Sequence, residues 1–251
     1  LLRELLKRGL KIGKIASRSN SQLKALLEAG DETSNRPDAM ASHLKLPHAV
    51  KRVLELLAVQ KWSELELILQ KQKFQSPSHF VHGFFVPLMQ GLAQHVDRGL
   101  ISVAQEHFLS AAIKEKIYLE ISKIKPKRRN TDFRFVLATP EGDHHELGLL
   151  AAHLLIRSSG AASLYLGPNT PAKEISETAL RFHSSHILIV STISKRAGAA
   201  QETLTFLSEL RRNVGPKVKL LVAGQQAPLS AQQGTGISTL ASFLALEEVL
   251  A

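Results

Sequence analysis

The stretch Pro140-Glu141-Gly142-Asp143-His144-His145-Glu146-Leu147-Gly148 holds the residues best suited to chemistry. Asp143 stands two residues before His145. A carboxylate at that spacing can accept the Nδ1 proton of the imidazole. This fixes the tautomer, leaves Nε2 as a donor to a metal and raises its basicity. Gly148 lets a following helix pack closely, or lets a bulky ligand approach the backbone. The same residues also read as a helix start, with Asp143 as cap and Glu146 in the first turn. The loop alone leaves both readings open. A second pair, Glu106 and His107, lies in a helical segment, where it reads either as a site or as a surface pair with His107 on an apolar stripe. The remaining histidines carry less. His48, His82 and His95 have no partner at metal-ligand spacing, His144 is expected to face solvent, His153 and His183 to lie in helices, and His186 to begin a strand. Gln225, Gln226, Gln232 and Gln233 form a polar loop region.

These residues need elements to hold them, and the periodicity supplies two kinds. Residues 47–124 are helical in pattern, with apolar stripes Val50–Leu57, Trp62–Leu69, Val81–Val96 and Val103–Ile121. The fourth stripe runs Val103, His107, Ser110, Ile113, Ile117, Ile121. Four amphipathic helices with short connections predict a four-helix bundle. Pro87 falls inside the third stripe, so that helix is either kinked or begins there. Residues 125–132 form a charged linker containing Lys125, Lys127, Arg128 and Arg129. From there to residue 251 the period changes. Apolar runs Phe133–Thr139, Ala162–Leu166, His186–Ser191 and Lys217–Ala223 alternate with helical stretches Leu147–Ser159, Ala172–Phe182 and Ala199–Arg212, and a last helix is expected over Leu240–Val249. This alternation predicts a parallel sheet covered on both faces, with ligands at the carboxyl ends of its strands. His145 follows the first of those ends.

Residues 1–29 pattern as two short helices, Leu2–Arg8 and Asn20–Leu27, with Ser19 or Asn20 as cap of the second. Residues 30–46, rich in Ser, Asn and Asp with Gly30 and Pro37, read as a linker. The chain has no cysteine, which excludes structural disulfides, zinc–thiolate sites and thiol catalysis and leans toward a reducing, cytoplasmic setting. No apolar run approaches the ~20 residues of a membrane span. Net charge is +10 over 251 residues. Residues 1–50 hold nine basic against five acidic side chains, whereas residues 133–251 hold ten against nine. A basic amino-terminal end fits a neighbour that binds nucleic acid, and equally fits a solvated basic surface.

Asp143-x-His145-x-x-Gly148 after the first strand of such a sheet resembles the signature of Rossmann-like cobalamin-binding domains of the methionine-synthase and mutase type. The resemblance implies His145 as lower cobalt ligand, with the nucleotide tail in a slot lined by Ser191 and Ile193 after the third strand and by Gly224 and Gln225 after the fourth. Ala223 stands where the family has a first glycine. The segment Val96 to His107 is similar to the cap bundle of MerR-family cobalamin photoreceptor repressors, the CarH/LitR type, in which a tryptophan is followed after nine residues by Glu-His. Glu106 and His107 match, and Val96 replaces the tryptophan, which removes an aromatic wall beside the place of an adenosyl group. Leu5–Ala16 is similar to the last part of a MerR-type winged helix, so residues 1–29 are expected to be the tail of a DNA-binding domain that starts upstream of Leu1.

The resemblance covers nearly the whole chain. It implies the α + α/β plan of a bundle followed by a cobalamin-binding domain. It also implies a non-enzymatic, homo-oligomeric cytoplasmic regulator acting on DNA, with cobalamin, adenosylcobalamin included, as cofactor. Three alternatives remain. Haem could replace the corrinoid, since His145 and His107 can both ligate iron and Val96 and Ala223 are then easily accommodated. The chain could be a corrinoid carrier for methyl transfer. Or it could be a degenerate module that binds no cofactor, for which Val96 and Ala223 are the evidence.

Overall fold

The computed structural model describes residues 21–22, 46–125, 133–192, 198–224 and 236–251. Of the two expected amino-terminal helices, only residues 21–22 fall among these, and they are helical. The 30–46 linker up to residue 45 and the basic residues Lys127, Arg128 and Arg129 lie outside the described residues, as do Ile193, Gln225, Gln226, Gln232 and Gln233.

The helical bundle forms over the expected segment. α1 (His48–Ala58) buries Val50, Val53, Leu54, Leu56 and Leu57, and α2 (Trp62–Lys71) buries Leu65 and Leu69. The third helical run has three parts. α3 (Pro77–Phe80) is capped by the Ser76 hydroxyl, which accepts from the His79 amide at 3.0 Å. A π-helical turn (Val81–Phe85) follows, then α4 (Val86–Asp97). Pro87 thus sits in the first turn of α4, where its missing N–H costs least, and the wider π turn in front of it lets the Val86 amide reach the Val81 carbonyl. The run therefore continues through the proline.

α5 (Val103–Ser122) starts with a capping box between Ser102 and Gln105. Its buried face differs from the expected stripe. Gln105, Leu109, Ile113, Lys116 and Ile117 are inside, while Val103 and His107 are exposed. Apolar residues lie all around this helix, so counting them does not select a face. The polar members of the buried face are satisfied: Gln105 Nε2 donates to the Leu57 carbonyl at 2.7 Å, and Lys116 Nζ to the Gln72 carbonyl at 2.8 Å. The rotation turns His107 away from the bundle core.

The second unit is a parallel sheet in the order β2-β1-β3-β4-β5, where β1 is Arg134–Pro140, β2 Ala162–Thr170, β3 His186–Val190, β4 Lys219–Ala223 and β5 Ile237–Leu240. The helices are α6 (Leu147–Ser159), α7 (Ala172–Arg181), α8 (Ala199–Val214) and α9 (Phe243–Leu250). The last expected helix, Leu240–Val249, is corrected: Leu240 ends a strand paired with Ala223, and the helix starts after Ser242, whose hydroxyl accepts from the Ala245 amide. The strand Ile-Ser-Thr-Leu is too short and polar to signal itself.

Alternation along the strands divides the core. Val136, Ala138, Ile187, Ile189, Leu220 and Val222 face α7 and α8. Phe135, Leu137, Leu188, Val190 and Leu221 face the other way, in one continuous cluster with α6, α9 and the whole bundle. The bundle is therefore packed onto one side of the sheet unit. No described helix is long and apolar enough to cross a membrane.

Candidate functional site

In this strand order the chain reverses direction between β1 and β3, and the crevice at that point is where such sheets bind ligands. The loops leaving β1 and β3 meet there through one carboxylate. Asp143 Oδ1 accepts from the His145 amide at 3.0 Å and lies 2.9 Å from His145 Nδ1, and Asp143 Oδ2 accepts from the Thr192 amide at 2.6 Å. Asp143 is not the side-chain cap of α6; that position is Glu146, which makes no side-chain cap bond. The Asp143 side chain is 10% exposed and that of His145 is 71% exposed. The carboxylate is thus committed inside the fold while the imidazole is presented outward, with Nδ1 occupied and no protein partner of Nε2 among the described residues.

The loop itself is clamped from β2. The Asp143 amide donates to the Pro140 carbonyl at 3.0 Å, closing a turn in which Gly142 takes φ +82°. The Asp143 carbonyl accepts from the Asn169 amide at 3.0 Å and from the Thr139 hydroxyl. Asn169 Oδ1 accepts from the Gly142 amide at 2.7 Å, and Asn169 itself stands at φ +55°. Sequence reasoning missed Thr139, Asn169 and Thr192. The loop after the second strand was a known place to look, but nothing in the spacing linked Asn169 to Gly142.

His145 borders a cavity of about 1340 Å³ between the strand ends and the bundle. From the sheet unit come His144, His145, Gly148, Thr192, Ala223, Gly224 and Ser242, and from α4 and α5 come Val96, Asp97, Glu106, His107, Ser110 and Lys114. Of the expected site residues, His145, Gly148, Gly224, Val96, Glu106 and His107 therefore share one cavity wall system. Asp143 and Ser191 stand behind it, and Ile193 and Gln225 lie outside the described residues. His144, expected to face solvent alone, also borders the cavity.

The two glycines are held for different reasons. A Cβ on Gly148 would meet Val190 Cγ1 at 3.6 Å, an ordinary contact, so the space there belongs to the cavity and is not required by helix packing. A Cβ on Gly224 would lie 2.0 Å from the Ser191 carbonyl oxygen, and Gly224 takes φ +119°. Only glycine fits there. Ser191 is buried, and its amide donates to the Ala223 carbonyl at 2.9 Å, so the ends of β3 and β4 lie flat against each other beneath the cavity.

An ion pair and a hydrogen bond tie the bundle to the sheet unit. Lys114 Nζ bonds Glu146 Oε1, and His82 Nε2 lies 2.7 Å from Glu247 Oε2. The bond to Glu146 raises the Lys114 pKa. The Tyr165 hydroxyl donates to Glu146 Oε2 at 3.0 Å, and burial, with this bond, raises the Tyr165 pKa. The Tyr165 ring stacks on His153 at 5.3 Å between centroids. Burial, and secondarily Arg157, lowers the His153 pKa to about 4, so it is neutral at pH 7.

No protein-family model matches the chain. It is 28% identical over 137 residues to the HTH-type transcriptional repressor CarA of Myxococcus xanthus, a match covering 55% of this chain and 44% of that protein. It is 28% identical over 123 residues to the HTH-type transcriptional repressor CarH of the same organism, covering 49% and 40%. The chain thus matches less than half the length of these curated relatives. Among solved structures it is similar to the Methanosarcina barkeri monomethylamine corrinoid protein, with TM-score 0.62 and 14% identity over 79% of this chain and 95% of that one. At that identity the likeness is one of fold: a helical bundle followed by a Rossmann-like parallel sheet. No group of three or more His, Asp or Glu side chains placed to hold a bare metal ion occurs among the described residues.

Proposed function

We propose that this chain is the ligand-sensing part of a MerR-type transcriptional regulator, and that it binds cobalamin between bundle and sheet with His145 as the lower cobalt ligand. The observation that carries the reading is His145 itself: Nδ1 held by the committed carboxylate of Asp143, Nε2 without a partner among the described residues, at the edge of a cavity of about 1340 Å³. Pockets for drug-sized ligands run to ~300–1,000 Å³, so this volume suits a tetrapyrrole. Cobalamin, if bound, would supply a cobalt centre able to accept an imidazole nitrogen, and His145 Nε2 would be the group offered to it.

The protein residues divide the work. Asp143 sets the tautomer and aims the ring. Gly148 leaves room beside the strand ends, Gly224 lets the ends of β3 and β4 close beneath the cavity, and Glu106 and His107 present polar groups from α5 across it. Val96 lines the cavity from α4. The similarity to two transcriptional repressors supports regulation of DNA as the output, through a DNA-binding domain beyond this chain and a homo-oligomer in the cytoplasm. On this reading the chain is not an enzyme.

The test is absorption spectroscopy of the chain after gel filtration with hydroxocobalamin, adenosylcobalamin or haem in the dark. Co-eluting corrinoid with a histidine-ligated spectrum is expected, and His145→Ala should shift it to the base-off form. An unchanged spectrum in His145→Ala would remove His145 as ligand. Retention of haem alone would replace the cobalamin reading, retention of neither would leave a module without cofactor, and methyl transfer from a methylated corrinoid to a thiol would make the chain a carrier.

A further inference from the structure

Glu146 occupies the N-cap position of α6 but its carboxylate caps nothing there. Both oxygens are used elsewhere: Oε1 on Lys114 of the bundle, and Oε2 on the Tyr165 hydroxyl of β2. The side chain is 17% exposed, against 41% for Lys114. An acceptor next to a helix start ordinarily satisfies the free amides of that start; here it spans two units instead. Among the described residues, Lys114 is the cation paired with this carboxylate. The covalent neighbour of Glu146 is His145.

We infer that Lys114, Glu146 and Tyr165 form a clasp between bundle and sheet unit, with Glu146 a positioning residue that couples the placement of α5 to the state of the His145 loop. The path is short. α5 carries Glu106 and His107 and, two turns further, Lys114, all bordering the same cavity. Any displacement of α5 by a ligand pulls on Glu146, and any turn of the His145 backbone moves Glu146 against Lys114. Tyr165 anchors the junction to the sheet, so Glu146 cannot simply follow Lys114. The second contact between the units, His82 with Glu247, joins the π turn to α9, and among the described residues neither partner bonds a residue of the His145 loop. It is the built-in control. The ligand half of the inference rests on the reading of the cavity as a cobalamin site; the mechanical half rests on the clasp geometry alone.

Amide hydrogen exchange of the full chain without ligand tests the mechanical half, since locally opened segments exchange at rates set by their own stability. The reporters are the amides of Asp143, His145 and Thr192, and those of α5 from Leu109 to Ile117. Glu146→Gln is expected to speed both groups together by about tenfold, with β3 unchanged. The swap Lys114→Glu with Glu146→Lys is expected to restore both. Glu247→Gln is expected to speed the π turn and leave the His145 loop as it was. Loss of protection in α5 without change in the loop, or equal effects of Glu247→Gln and Glu146→Gln on the loop, overturns the clasp. Hydroxocobalamin titration tests the other half. If the wild-type chain binds it, Glu146→Gln should weaken binding several-fold and lower the histidine-ligated fraction, with recovery in the swap; unchanged binding and spectrum overturn the coupling. If the wild-type chain does not bind it, the cobalamin reading and this half fail together, and the exchange result still decides the clasp.

Discussion

Replacing Asp143 by asparagine tests the central node of the site with almost no change of shape. In the native loop the carboxylate is acceptor-only and receives three donors: the His145 amide, the His145 Nδ1 proton and the Thr192 amide. Asparagine offers one acceptor oxygen and one donor nitrogen. If its oxygen keeps Thr192, its amide nitrogen faces the His145 amide and Nδ1. Two donors then oppose each other unless the ring changes tautomer, so that Nδ1 accepts and the proton moves to Nε2. A protonated Nε2 has no lone pair for a metal. Hydrogen bonds to charged groups contribute about 1.5–3 kcal/mol each. Changing the partner that orients a metal-bound histidine lowers metal affinity by roughly 10–100-fold. On the proposed ligation by His145, a loss toward the upper part of that range is expected, because all three bonds depend on one side chain. Two assays read it. Nitrogen-15 NMR of the imidazole, without ligand, should show the proton on Nδ1 in the wild type and on Nε2 in Asp143→Asn. Hydroxocobalamin titration should show the loss of affinity with a shift to the base-off spectrum. An Nε2 lone pair retained in the variant, with affinity within twofold of wild type, would refute the claim that Asp143 sets the tautomer.

Gly224→Ala should destabilise the chain by about 3–5 kcal/mol, since the new Cβ would lie 2.0 Å from the Ser191 carbonyl and φ +119° strains any side chain; a denaturation midpoint that corresponds to less than about 1 kcal/mol would contradict this. His153 and His186 are both held neutral, their pKa values lowered to about 4, chiefly by burial, from the ordinary 6.5. The unfolded chain binds their protons more readily, so their contribution is complete above about pH 6.5 and is lost as pH falls toward 4. By pH 5 the loss should be roughly 1–2 kcal/mol for each, seen as a falling melting temperature. His186→Phe, which keeps the stack on Phe135, should flatten this dependence; a slope equal to wild type would show that other groups set it.

Much of this was legible before any coordinates. The strand–helix alternation carried the sheet unit, because buried parallel strands are continuous apolar runs and their helices keep a regular period: α6 spans Leu147–Ser159 as expected. The pairing of Asp143 with His145 followed from a two-residue spacing, which is local enough for sequence alone to constrain. β5 was not legible, because its four residues become a strand only by pairing with Leu220–Ala223. The face of α5 was not legible either. Its apolar residues point several ways, and contact with α1 and α2 selected Leu109 and Gln105 over Val103 and His107. The partners of the His145 loop lie farther still along the chain. Thr192 reaches Asp143 across 49 residues and Asn169 reaches Gly142 across 27. Residue types and short spacings determined the elements and the imidazole–carboxylate pair. Strand order decided which loops meet, and packing of bundle on sheet decided that His145, Glu106 and His107 share one cavity, because such meetings depend on the path of the whole chain and leave no periodic trace in it.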